Sequence, residues 1–300
     1  MKNIFSKLKT FVANGLRTIC PKWWDVFLYV YREKHFCNLR NPSNFYEKLM
    51  WIQWHIYQNN KSVIQCLDKN MVRRYVEEKG CGEILIPLLK VFKTPDEIKL
   101  EDLPNSFVLK RSWGCGDVFI CPDKGLLDPQ SLEKAKKHWR TMSGAYDRNT
   151  CRMLGIKRDD LAITYVCENY LVSLSAVPND YKFYCFNGVP RCVLVVSGRY
   201  TNNKCACLFD TNWKELVVHN YQGFVKNAEL KKPENFDQMC EYAKALSGDF
   251  PFARVDLYNI NGKIYFGEIT LFPSTHPIQC DTIQGRPMGD WLVLPSLEGK

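Results

Sequence analysis

Asp256 and Glu268 are the residues whose type and spacing most directly imply chemistry. They lie in Arg254-Val255-Asp256-Leu257-Tyr258 and Gly267-Glu268-Ile269-Thr270, on either side of an Asn261-Gly262 turn signal. Strand side chains alternate in facing, so loop length decides whether the two acids meet. A two-residue loop puts them on opposite faces. A three-residue loop, Ile260 to Gly262, is expected instead, with Gly262 in a left-handed position. It pairs Asn259 with Lys263 and Arg254 with Glu268, and leaves Asp256 diagonal to Glu268. That register also sorts Val255, Leu257, Tyr265 and Ile269 onto one apolar face. Diagonal partners sit roughly 7–8 Å apart at Cα, a span over which two carboxylates can share a hard cation. The hairpin is therefore a candidate Mg²⁺ site, with Arg254 beside Glu268. The same residues also read as a solvated hairpin with an Arg254–Glu268 surface ion pair.

Three further charged positions accompany this pair. Strand Phe107-Val108-Leu109-Lys110 ends in a cation and enters Arg111-Ser112-Trp113-Gly114-Cys115-Gly116-Asp117, ahead of Val118-Phe119-Ile120. A glycine loop between strands can lay N–H groups over phosphates, with Lys110 meeting their charge. A plain tight hairpin fits the same residues, and the P-loop pattern is absent. Lys182, in Asp180-Tyr181-Lys182-Phe183, needs an anion if it faces inward and none on an exposed sheet face. Glu168, after Ile163-Thr164-Tyr165-Val166, can accept from a ribose hydroxyl or stand as a solvated strand-end acid.

The elements that position these groups alternate irregularly. Helices are expected after Asn41-Pro42-Ser43, from Asp68 to about Gly80, over Ser131 to Arg140, and from Pro233-Glu234 to about Leu246. Ile84 to Leu89 is a short apolar run. Strands are expected at Ala162 to Val166, Tyr181 to Phe186 and Cys192 to Val196, the last two joined by Asn187-Gly188-Val189-Pro190. The class is α+β. The expected division is a basic amphipathic segment over 1–40, an α/β region over 41–105, a small lobe with the glycine loop over 106–166 and a large lobe with the acidic hairpin over 167–300.

Composition bounds the partners. The 300 residues hold 46% hydrophobic and 24% charged side chains, an ordinary globular balance. The net charge of +9 suits an anionic substrate or an acidic membrane surface. Nucleic acid is excluded as a partner, because the basic residues are dispersed and no helix-turn-helix, zinc-finger or RNP motif occurs. The 14 cysteines form no C-x-x-C pair, so reduced buried thiols are expected, and Cys205-Ala206-Cys207 with His219 lacks a second half for zinc. No apolar run is long enough to span a membrane. Ile4, Leu8, Phe11, Val12, Leu16 and Ile19 follow helical spacing among Lys2, Lys7, Lys9 and Arg17, with Trp23-Trp24 beyond Pro21. Residues 1–24 thus suit peripheral contact with an anionic membrane, or a first helix docked on its own domain.

In this order, lysine with glycine loop, strand-end acid, lysine strand and two-acid hairpin, the chain resembles the TupA-like ATP-grasp proteins of cell-surface polysaccharide biosynthesis. The resemblance runs from about Asn41 to Pro295. It rests on Asn41-Pro42-Ser43-Asn44-Phe45-Tyr46-Glu47-Lys48, Asp68-Lys69 with Arg73 and Tyr75, Phe107 to Lys110, Asp180 to Phe183 with Phe186-Asn187-Gly188, and Arg254 to Tyr258 through Gly267-Glu268. It implies an ATP-grasp fold, two α+β lobes with ATP between them. Lys110 and Lys182 would contact ATP phosphates, Gly114 and Gly116 close over them, Glu168 lie in the nucleotide hinge, and Asp256 and Glu268 hold Mg²⁺. Arg254 would stabilise the phosphoryl group or orient a metal ligand. Asp117 stands where the family usually has glycine, Thr270 where many ATP-grasp hairpins have asparagine, and Thr201 to Cys205 where a histidine and basic residues are frequent.

The implied activity is a cytoplasmic ATP-dependent carboxylate–amine ligase working through an acyl phosphate, with an acidic sugar or glycan precursor and an amine donor as substrates. The alternatives are a glycosyltransferase of a polysaccharide locus, and a non-catalytic nucleotide-binding scaffold at the inner face of the membrane.

Overall fold

A computed structural model of the chain describes residues 20–34, 36–114, 116–141, 150–157, 161–171, 178–198, 205–216, 230–273, 282–283 and 286–297. Residues 1–19, His219 and the stretch 199–204 lie outside them.

Two antiparallel sheets carry the charged positions. The smaller has strand order β1-β4-β2-β3, from β1 (Leu88–Phe92), β2 (Phe107–Arg111), β3 (Val118–Cys121) and β4 (Tyr165–Asn169). It takes β1 from ahead of the 105/106 division and β4 from across the one at 166/167. Its core joins Phe92, Phe107, Leu109, Cys121, Tyr165 and Cys167 to Leu132 and Trp139 of a helix, Pro129–Thr141. Period-two alternation then puts Lys110 and Glu168 on the opposite face, since Lys110 flanks buried Leu109 and Glu168 flanks Cys167.

The larger sheet runs β10-β9-β5-β6-β7-β8. Its central strands are β5 (Asp180–Phe186), β6 (Val189–Ser197) and β9 (Phe252–Ile260), with β7 (Cys205–Asp210) and β8 (Glu215–Leu216) on one side and β10 (Lys263–Thr270) at the other edge. One face packs on the helix Phe236–Ser247. The Phe183 and Phe236 rings stack 5.8 Å apart, and the Cys185 thiol points at the Ala243 carbonyl. The other face presents Asp180, Lys182, Arg254, Asp256, Glu268 and Thr270. Asn187-Gly188 makes a two-residue turn with both φ positive, at +49° and +75°, as its sequence demands.

The acidic hairpin departs from the expected register. Ile260 pairs with Lys263, so the loop is the two residues Asn261-Gly262, at φ +52° and +79°. A one-residue bulge at Gly267 restores the facing: Phe266 opposes Leu257, and Glu268 directly opposes Asp256. Arg254 accordingly opposes Thr270 rather than Glu268. Ile264 and Phe266, rather than Tyr265, join the buried set with Val255, Leu257 and Ile269. Gly267 is required there, because a Cβ would stand 2.9 Å from the Asp256 carbonyl oxygen.

Helices tie the parts together. The first, α1 (Pro21–Glu33), docks through Val26 and Tyr29 on α2 (Phe45–His55). The α2 cap is Asn44, rather than Asn41 to Ser43: Asn44 Oδ1 accepts from Glu47 N–H at 3.0 Å, while the Glu47 carboxylate accepts from Ser43 N–H. The expected helix from Asp68 is shorter and follows another, giving α3 (Lys61–Leu67) and α4 (Val72–Glu78). Both pack on the large-sheet core through Val63, Cys66, Val72, Tyr75 and Val76. In chain order Pro129–Thr141 is α5 and Phe236–Ser247 is α6.

Candidate active site

On the small sheet, Glu168 is buried and each of its oxygens meets a cation. Lys110 Nζ donates to Oε2 at 2.6 Å, and Arg73 Nη1 donates to Oε1 at 3.0 Å. Lys110 and Glu168 come from the adjacent strands β2 and β4. Arg73 comes from α4, and its other terminal nitrogen donates to the Ile86 carbonyl at 2.8 Å. Two cations on one carboxylate leave a surplus of positive charge, which suits an anion.

The loop after Lys110 is fixed from several sides. Lys69 Nζ donates to the Gly114 carbonyl at 2.6 Å, and the Lys69 amide to the Ser112 carbonyl at 2.9 Å. The Ser112 amide donates to the Thr164 carbonyl, and the Thr164 amide returns to Ser112 Oγ at 3.1 Å. Gly114 and Gly116 have φ of +114° and +83°, the conformations for which glycine is needed. Asp117 turns inward: it is buried, its carboxylate occupies the space a Cβ on Gly114 would need, and Oδ1 is 3.7 Å from His138 Nε2 of α5.

On the large sheet, Asp256 is the most buried acid of a five-charge group. Arg254 Nε donates to its Oδ1 at 2.7 Å and Nη2 to its Oδ2 at 2.8 Å. Lys182, opposite it on β5, also donates to Oδ2, and reaches Asp180 Oδ2 at 2.7 Å. Burial alone would raise the Asp256 carboxyl, but Arg254 and Lys182 outweigh it and hold the group below the usual carboxylate range. Burial would likewise lower Lys182, and Asp256 and Asp180 reverse this, raising its ammonium above the ordinary value. Glu268 is half exposed and accepts from Arg254 Nη2 at 3.1 Å.

Three hard oxygens converge on that one nitrogen: Asp256 Oδ2 at 2.8 Å, Thr270 Oγ1 at 2.9 Å and Glu268 Oε1 at 3.1 Å. Asp256 and Glu268 can thus meet a single cationic point, and the oxygen set fits a divalent ion of the Mg²⁺ type. Its remaining ligands would have to come from outside the protein, since among the described residues no group of three or more His, Cys, Asp or Glu could hold a metal. Cys205 and Cys207 are buried in β7, and of the described cysteines only Cys20 is exposed and none forms a disulfide.

Every expected site residue falls in one of these groups: Lys110, Glu168, Gly114 and Gly116 at the small sheet, and Lys182, Arg254, Asp256 and Glu268 at the large one. Sequence reasoning missed Arg73, Lys69 and Asp180 as participants. Asp180 was within reach, because it precedes Lys182 by two on one strand and must share its face. Arg73 and Lys69 gave no local signal, as their partners lie far along the chain.

The fold is an α+β ATP-grasp fold. The family model for TupA-like ATP-grasp proteins matches residues 47–291, and the chain belongs to that family. Among solved structures, the D-alanine–D-alanine ligase of Bacillus anthracis complexed with ATP is similar at 17% identity and a TM-score of 0.41, over 70% of this chain and 54% of that one. The D-alanyl-alanine synthetase A of Vibrio cholerae gives 10% and 0.43 over 82% and 65%, and the L-amino acid ligase of Bacillus licheniformis 14% and 0.41 over 72% and 42%. The chain thus spans less than two thirds of the length of each. No curated protein matches it. Among the described residues, no helix is long and apolar enough to cross a membrane.

Proposed function

We propose that this chain is an ATP-dependent ligase that activates a carboxylate as an acyl phosphate and transfers it to an amine. The observation that carries this reading is the pair of oppositely biased charge clusters, cation-rich at Lys110 and Arg73 and acid-rich at Asp256 and Glu268, within a TupA-like ATP-grasp chain.

Lys110, held by Glu168, meets nucleotide phosphates beside the loop of Gly114 and Gly116. Glu168 serves as a positioning residue, because both its oxygens are engaged by cations. Asp256 and Glu268, with Thr270, would hold Mg²⁺, which neutralises charge on the transferring phosphoryl group when bound. Lys182 and Arg254 direct N–H groups toward the same place and stabilise developing negative charge without reorganising. The substrates are an acidic sugar or glycan precursor and an amine donor. The net charge of +9 favours an anionic substrate. Consumption of ATP makes the site of action the cytoplasm.

Thermal unfolding with and without Mg·ATP tests the site. Ligand at ~100 times its dissociation constant adds about 2.7 kcal/mol to the folded state, or several degrees at roughly 2–4 °C per kcal/mol. Glu268→Gln and the Asp256→Ala/Glu268→Ala pair should lose the metal-dependent part. ADP release with acidic sugars and amines, in the absence of any sugar nucleotide, then supports the ligase; turnover that needs a sugar nucleotide, or no shift with ATP, overturns it.

A further inference from the structure

The face of α1 turned away from α2 is aromatic. Val26 and Tyr29 dock the helix, and Asp25 on that docked side accepts from Gln53. The opposite stripe follows helical spacing through Trp23, Phe27 and Tyr31, which are 70%, 55% and 65% exposed. The rings of Phe27 and Tyr31 stack 6.3 Å apart, and Lys34 Nζ lies 4.4 Å over the Tyr31 ring. Such a stripe on a surface helix is far more apolar than solvent contact favours.

Its chemistry selects the occupant. Trp and Tyr are the side chains that favour the headgroup level of a bilayer, apolar in body and polar at the tip. Residues 1–24 hold Lys2, Lys7, Lys9, Arg17 and Lys22 and neither Asp nor Glu. A protein partner could use the aromatics, but an acid-free basic segment leading directly into them matches an anionic lipid surface.

We infer that α1 docks this chain on an anionic bilayer, with Trp23, Phe27 and Tyr31 seated at the headgroup level and the neighbouring lysines against lipid phosphates. The inference is independent of the ligase reading, since it uses none of that site's residues.

Co-sedimentation of the full chain with vesicles of phosphatidylcholine, with and without phosphatidylglycerol, tests it. Binding should be at least about tenfold stronger to the anionic vesicles and weaken as salt rises. Trp23→Ala/Phe27→Ala/Tyr31→Ala should lower it by about tenfold or more with the chain still folded by circular dichroism. Lys22→Glu/Lys34→Glu, which keeps the aromatics, should lower it too. Equal binding to both vesicle types, or unchanged binding by both variants, overturns the proposal. So does a wild type that ignores vesicles but forms a dimer, by light scattering, that the triple variant cannot form; the face would then belong to a second copy.

Discussion

The two charge clusters are built on different plans. At the hairpin, Asp180, Lys182, Arg254, Asp256, Glu268 and Thr270 all come from the neighbouring strands β5, β9 and β10, and three carboxylates outnumber two cations. At the small sheet two cations outnumber one carboxylate, and Arg73 arrives from α4, whose Val72, Tyr75 and Val76 belong to the other core. The first is a local device set by strand register. The second is a tertiary device that links the small sheet to a helix anchored on the large one. An anion competing with Glu168 for Lys110 and Arg73 would therefore act on the contact between the two cores, whereas a cation at the hairpin would act within one sheet.

The hairpin should be the more costly cluster to break. Asp256→Ala leaves Lys182 and Arg254 buried without the carboxylate they share, a loss of about 3–5 kcal/mol in urea unfolding. Its pH dependence has a definite sign. The folded Asp256 holds its proton less tightly than its ordinary value of 3.8 implies, so its contribution is present above that value and lost as pH falls through the lower folded one. Wild-type stability should drop with acidification below about pH 4, and the variant should lack that component of the drop. A loss near zero would show that the cluster is solvated rather than buried.

Glu168→Ala should cost less, about 2–3 kcal/mol, because Lys110 and Arg73 are each more accessible than Lys182 or Arg254 and can recover water. The sharper readout is the small sheet itself. Amide exchange in β2 and β4 should accelerate more than exchange in β9, since the link through α4 is cut while the large core is intact. Uniform acceleration in both sheets would contradict the tertiary plan.

Legibility in the sequence followed the same division. Strands β5, β6 and β9, the Asn187-Gly188 turn, the Asn261-Gly262 turn signal and the shared face of Asp256 and Glu268 were readable, because alternation and turn chemistry are local. The register was not: an apolar count favoured a three-residue loop with Arg254 opposite Glu268, while the fold uses a two-residue turn and a bulge that set Asp256 opposite Glu268. Gly267 was the only trace of the bulge, and one glycine in a strand does not state its purpose. Lys69 and Arg73 stood among the residues that carry the resemblance, but their contacts were unreadable for a different reason, since only the packing of α4 and its flanking segment brings them to Gly114 and Glu168. The inward turn of Asp117 toward His138 likewise depends on where α5 lies.

Gly267→Ala tests the bulge at a smaller scale. The added methyl would meet the Asp256 carbonyl at 2.9 Å and the Tyr258 ring at 3.2 Å, so the strand must shift. About 1–2 kcal/mol of destabilisation is expected. Because the shift displaces Glu268 from Asp256, metal-dependent ATP stabilisation should fall by more than the stability loss alone explains. Retention of full metal dependence would mean that Glu268 can reach its place without the bulge.

Glu268→Gln is the smallest change and separates stability from function most cleanly. The side chain is half exposed, its pairing with Arg254 is partly solvated, and Arg254 keeps both contacts to Asp256. Unfolding in the absence of ligand should therefore move by no more than about 0.5 kcal/mol. Glutamine retains an oxygen that can accept from Arg254 and Thr270 but lacks the charge a divalent ion needs. The Mg²⁺-dependent part of the ATP-induced shift should then fall while metal-free binding at the small-sheet cluster persists. If both fall together, the two clusters act as one site; if neither does, Glu268 is a surface acid and Asp256 alone carries the negative pole of the comparison.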